Sequence, residues 1–208
     1  GSWRLVLEAL VLIGAVALLG VHLINHDIAA WWHNHILGVY HSSSLMTSMS
    51  PDDIKRLDHS AAMYAKTATG ILSFYVMILS LLALMMGRFW QSVLADSMPA
   101  FTEEMRNIRM SGWFSLIVVL CFVGFVLQMP LFVDGFFMVI MPMVVAGFSY
   151  FHAIKQSHSW FGYVLPLIYI GLIVFQYMVA PLVAAIGMAD ASLNFRQRFV
   201  KQKEKINT

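Results

Sequence analysis

Long uncharged apolar runs constrain this chain more than any other feature of it. A helix needs about 20 apolar residues to cross the hydrocarbon of a bilayer. Five stretches meet or approach that length: Trp3–Ile24, Ala61–Met86, Gly112–Gln128, Leu131–Ala153 and Gly162–Ala189. The chain is 60% hydrophobic and only 12% charged, whereas soluble domains carry about twice that charge. The expected fold is therefore all-α: a multi-pass transmembrane helical bundle of about five membrane helices, one integral domain over residues 1–208, with interfacial amphipathic helices. A formal charge of +2 gives no electrostatic footprint for nucleic acid. The single cysteine, Cys121, sits in an apolar run and reads as a packing residue. Gly1 and Ser2 read as a fragment start, so further native sequence is expected upstream.

Between the third and fourth runs stands Leu127-Gln128-Met129-Pro130. Proline cannot donate a backbone hydrogen bond, and one helix through both runs would far outreach a bilayer. A helical hairpin is predicted there. Upstream, Ser50-Pro51-Asp52-Asp53 is a helix start: a capping hydroxyl, a proline at the first helical position, and acids at the positive helix end. That helix is expected to run unbroken into the second apolar run. In Gly87–Met110, Phe101, Met105 and Ile108 share a helical face, preceded by Phe89 and Trp90. This predicts a helix along the membrane surface behind an aromatic anchor. The tail from Leu193 carries five Lys/Arg, which favours a cytoplasmic C-terminus, although Arg88, Arg106 and Arg109 then fall outside.

Five of the eight histidines lie between His22 and His41. His22 and His26 are four apart and could share a helical face, and His33 and His35 form an HxH pair. These four are the metal candidates, but no HExxH or paired-cysteine pattern organises them. Ile28, Trp32, Ile36 and Val39 form an apolar face with Trp31 beside it, while His33 and Asn34 lie off it. An interfacial helix accounts for that pattern best; a pH-responsive histidine cluster is a third reading. No metal and no cofactor is expected.

Polar side chains in lipid are costly and invite a functional reading. Lys66, Asp134, His152 and Gln176 are the candidates for a small-molecule pocket; the alternative is hydrogen bonding between helices. Asp134 also fits a surface position beside the hairpin turn, and Gln176 is expected to be the deepest polar group. Glu8 follows Arg4 by one helical turn, so the two are expected to pair and snorkel. Ala61, Ala65 and Ala68, then Ala180, Ala184 and Gly187, are small residues suited to close helix contact, within the chain or with a partner subunit. The fifteen methionines read as soft packing rather than copper ligands. No phosphate-binding glycine loop, nucleophile elbow or catalytic carboxylate pair is present, so an enzyme is not expected.

Gly87–Met110 resembles the loop "GR-x-WQ … F-x-x-E-x-x-x-(I/L)-R" of the YybS-like family of bacterial membrane proteins. Gly87, Arg88, Trp90, Gln91, Phe101, Glu104 and Arg109 match. Val145–Ile154, with Gly147, Phe151 and His152, looks like a second element. Gly187–Phe199 is similar to the terminal pattern "G-x-x-D-x-W-x-(D/N)-F-R-x-R" through Gly187, Asp190, Asn194, Phe195, Arg196 and Arg198. Ser192 and Leu193 replace the Trp-Leu pair, which weakens an aromatic anchor. The resemblance covers about the C-terminal three fifths. It implies a bacterial inner-membrane protein, distantly similar to the substrate-binding S-components of energy-coupling-factor vitamin transporters, and carries over no ligand residue.

Two functions are expected from this: a vitamin-like ligand-binding membrane subunit, or a non-transporting scaffold. The scaffold would bind a partner through Gly87–Met110 and the basic tail, with Arg88, Trp90, Gln91, Glu104, Arg109, Asp190, Arg196 and Arg198 as its contact residues. Arg88, Glu104 and Arg109 could also latch the loop to the tail around Asp190.

Overall fold

A computed structural model describes residues 3–43, 49–157 and 160–195, and among these every regular element is a helix. They are α1 (Trp3–Ile24), α2 (Ile28–His41), α3 (Pro51–Ala65), α4 (Ala68–Leu94), α5 (Met98–Arg106), α6 (Gly112–Val126), α7 (Pro130–Ser157), α8 (Phe161–Val174) and α9 (Gln176–Leu193). Three of them, α1, α4 and α7, are long and apolar enough to cross a membrane; α6, α8 and α9 are shorter apolar helices.

α7 is the centre of the bundle. It packs against α1, α4, α5, α6, α8 and α9, and 61% of its apolar stretch is buried, against 17% in α1 and in α4. α1 and α4 instead turn residues such as Leu12, Ile13, Val16, Leu79 and Leu82 outward. A water-soluble fold would bury side chains of that kind in such numbers, and lipid does not require it.

The predicted hairpin joins α6 to α7. Gln128 takes a left-handed conformation (φ 57°). The Met129 amide donates to the Gly124 carbonyl and the Gln128 amide to that of Phe125, which is the Schellman termination, with Pro130 then starting the next helix. Gly124 lets Phe132 lie directly against the α6 backbone, in the space a Cβ would fill.

Two expected helices are divided. The helix capped by Ser50, whose hydroxyl accepts from the Asp53 amide, does not run on into the second span. It stops at Ala65, and Thr67 (φ −121°, ψ 0°) precedes a new helix. The polar run Lys66-Thr67-Ala68-Thr69-Gly70 marks the break. The fifth run is likewise two helices, parted at Phe175 (φ −121°, ψ 43°). Hydropathy is continuous there, so counting apolar residues merged them. Five unbroken spans are thus replaced by three long helices and three shorter apolar ones.

α9 crosses α7 with backbone almost on backbone. A Cβ on Gly187 would meet the Met143 carbonyl oxygen, and one on Gly147 would meet that of Val183. The small face Ala180, Ala184, Gly187 is buried here within the chain. Ala61 and Ala65 are buried too, on α3, which packs against α2.

A polar cleft between α1, α3, α4 and α7

The break between α3 and α4 builds the main candidate site. A helix start leaves backbone amides without intrahelical partners and carries a partial positive charge. The α4 start has no capping bond from its own Thr67. Asp134, one turn into α7, takes that role from another helix: the Gly70 amide hydrogen-bonds its carboxylate. Gly70 has to be glycine, since a Cβ there would press on Asp134 and Phe137. The second Asp134 oxygen lies 2.9 Å from His22 Nε2 near the end of α1. Asp134 is 4% exposed, so it does not sit at the surface beside the hairpin turn. Its burial is made tolerable by partners on two sides.

Beside this pair opens a cleft of about 410 Å³ lined by His22, His26, Asp27, Lys66, Thr69, Gln128 and Asp134, with Ile28, Ala29, Ala65, Pro130 and Val133. His22 and His26 do not share a helical face, because α1 ends at Ile24. They meet at the cleft through the turn Asn25-His26-Asp27, where Asp27 Oδ1 accepts from the Ala30 amide and caps α2. The Trp32 indole donates to the Thr69 hydroxyl at 2.8 Å, pinning α2 over the α4 start. Lys66 is exposed at the mouth and has no ion-pair partner among the described residues.

Lys66 and Asp134 therefore share a site, but His152 and Gln176 are elsewhere. His152 is eighteen residues beyond Asp134 on α7, about 27 Å of helix rise, and hydrogen-bonds the Tyr169 hydroxyl at 2.8 Å. Gln176 is exposed at the first position of α9; the break at Phe175 moves it out of the interior. His33 and His35 also diverge. His33 Nε2 is 3.0 Å from Asp58 Oδ1 on α3, and His35 stacks on Trp31 with ring centroids 5.3 Å apart. No cluster of three or more His, Cys, Asp or Glu side chains suited to a metal occurs among the described residues.

The loop residues assemble at the opposite end of the bundle, near the start of α1. Arg88 forks onto Glu104, with Nη2 to Oε1 at 2.5 Å and Nε to Oε2 at 3.0 Å, and also donates to Gln91. The Trp3 indole donates to the same carboxylate. The Arg88 hydrogen bonds hold the Glu104 carboxyl below its ordinary range, with Trp3 acting in the same direction. Arg109 turns away from this pair. It donates to the Ala191 carbonyl and the Asn194 side chain at the end of α9, a favourable place for a cation. The expected single latch is thus two fastenings, with buried Asp190 in the turn Arg109 caps. Trp90 and Gln91 face outward, and Arg196 and Arg198 lie outside the described residues. α5 ends at Arg106, and Ile108 is buried beyond it rather than on a surface helix face. Glu8 pairs with Arg4 as expected, at 3.9 Å, and also accepts from the Ser111 amide at the start of α6, which holds its carboxylate inside while Arg4 stays exposed.

Thr69 lines the cleft, with Gly70 and Trp32 supporting it from behind; the sequence signal for Thr69 and Gly70 is the polar interruption Lys66–Gly70 in an apolar run. Neither a family model, nor a curated protein, nor a solved structure matches this chain.

Proposed function

We propose that this protein is a membrane-embedded binding subunit that holds a small, negatively charged or polar molecule in the cleft beside His22, Lys66 and Asp134. The observation that carries the reading is the convergence of polar groups from three helices and the connections between helices on one roomy, open cavity. Its carboxylates are engaged, Asp134 by His22 and Gly70 and Asp27 by Ala30, while the Lys66 ammonium and the His26 imidazole are left to meet a ligand. Such sites are concave, with a few convergent polar groups. The resemblance to the YybS-like family adds a place in the bacterial inner membrane and a part in transport with a partner subunit. The basic tail adds a cytoplasmic C-terminus. The role is binding rather than catalysis.

Thermal-shift screening of the detergent-purified chain against vitamins, nucleosides and small anions tests the proposal. A ligand at a hundred times its Kd adds about 2.7 kcal/mol of stability, a rise of about 5 °C or more for a chain of this size. That rise should vanish in Lys66→Ala. A shift undiminished by Lys66→Ala would place the ligand elsewhere.

A scaffold role is the second reading, favoured by exposed Trp90, Val93 and Leu94 at the end of α4. Crosslinking from position 90 in native membranes should capture a protein partner if that reading is right.

A further inference from the structure

The polar cleft does not end at its apolar wall. A groove of about 310 Å³ runs between α1 and α4, lined by residues including Leu18, Val21, Leu72 and Val76, with Met138 of α7 as its floor. Thr69 lines both cavities. On each of the three helices the lining changes from polar to apolar within about one turn: His22 to Leu18 and Val21 on α1, Thr69 to Leu72 on α4, Asp134 to Met138 on α7. Along α4 the groove continues to Ser80, about 16 Å of helix rise beyond Thr69. It stays open because α1 and α4 both lean on α7 and touch each other little, with small residues Gly14, Ala17 and Ser73 lining it.

A polar chamber beside an apolar trough of that length, with Thr69 in the wall of both, has the shape of an amphiphile. We infer that the cleft ligand is an anionic amphiphile, its charged head beside Lys66 and His26 and its hydrocarbon chain in the α1–α4 groove. The head is anionic because Lys66 is a cation without an ion-pair partner among the described residues, whereas the Asp134 carboxylate already holds His22. The tail follows from the adjacency of the two cavities, which share Thr69 as a wall: a purely water-soluble ligand fills the cleft alone, and an amphiphile fills both. The inference rests on the binding function proposed above and names its ligand class.

The test uses the full chain in nanodiscs of phosphatidylcholine with 10% phosphatidylglycerol, followed by detergent extraction and native mass spectrometry. The wild type should retain about one phosphatidylglycerol per chain and little phosphatidylcholine. Lys66→Glu, at the head, and Ala17→Phe, in the groove, should each lower retention at least fivefold. On the wild type alone, which removes any doubt about folding of the variants, glycerol phosphate should compete at least a hundredfold more weakly than a short-chain phosphatidylglycerol. Equal competition by glycerol phosphate would overturn the amphiphile and leave the small-ligand reading standing. Retention of both lipids alike, unaffected by either variant, would also overturn it, showing only annular lipid. Failure of lipids, glycerol phosphate and the soluble library alike would remove both readings.

Discussion

The two ends of the bundle use polar residues in opposite ways. At the α5 end, Arg88 is spent on Glu104, Arg109 on the α9 terminus and Glu8 on the α6 start. These groups satisfy one another and the backbone, on the wall of a second cavity of about 530 Å³ lined by residues including Trp3, Arg4, Glu103, Glu104 and Arg109. At the other end, Asp134 and His22 also satisfy a helix start, but they do so beside a cavity, and Lys66 and His26 remain turned to it. Charge in a membrane protein is thus no guide to function until its partners are known. In the loop with the richest charge pattern, Arg88 and Arg109 are engaged within the chain, on Glu104 and on the end of α9. The cleft, whose residues are scattered through the first two thirds of the chain, is the better candidate for binding.

Substitutions can break this contrast. The largest effect is expected from Asp134→Ala, which strips a buried partner from His22 and uncaps α4. Removing one member of a buried pair costs about 3 kcal/mol or more, read as a large fall in melting temperature in detergent. Arg109→Ala should cost about 1–2 kcal/mol, the scale of charged hydrogen bonds to a helix end. Arg88→Ala, at a solvent-screened pair, should cost less than Arg109→Ala. Lys66→Ala should shift stability by under about 0.5 kcal/mol while abolishing ligand-induced stabilisation. Were Lys66→Ala as destabilising as Arg109→Ala, the distinction between fastening charges and a charge left for a ligand would fail.

Acid provides a finer test. The Glu104 carboxyl is held low by Arg88, so its contribution to stability is present above the ordinary carboxylate range. It is lost as pH falls through the depressed value. Melting curves should show the wild type losing more stability between pH 5 and pH 3 than Glu104→Gln, which has no such proton to take up.

What the sequence made legible was local. The Ser50 cap, the turn at Gln128–Pro130 and the apolar runs are all set by neighbours a few residues apart, where backbone chemistry acts directly. Arg88 and Glu104 are brought together across a single short connection. His22 and Asp134 are 112 residues apart, and nothing in either segment announces the other. The breaks at Lys66–Thr67 and Phe175 were missed for a different reason: hydropathy reports which solvent a residue prefers, not whether the helix continues. Gln176 is misplaced by that error; Asp134 does line the cleft as its pocket reading expects, and only the alternative surface position, suggested by its nearness to a turn, fails.

The central position of α7 has a consequence for biogenesis. α1 and α4 leave the ribosome first, yet their main shared support is a helix made later, and they hold each other only weakly. Between the synthesis of Leu94 and that of Ser157 the nascent protein is a pair of greasy rods with no keystone. During that interval it should depend on insertion chaperones and be most vulnerable to membrane proteases.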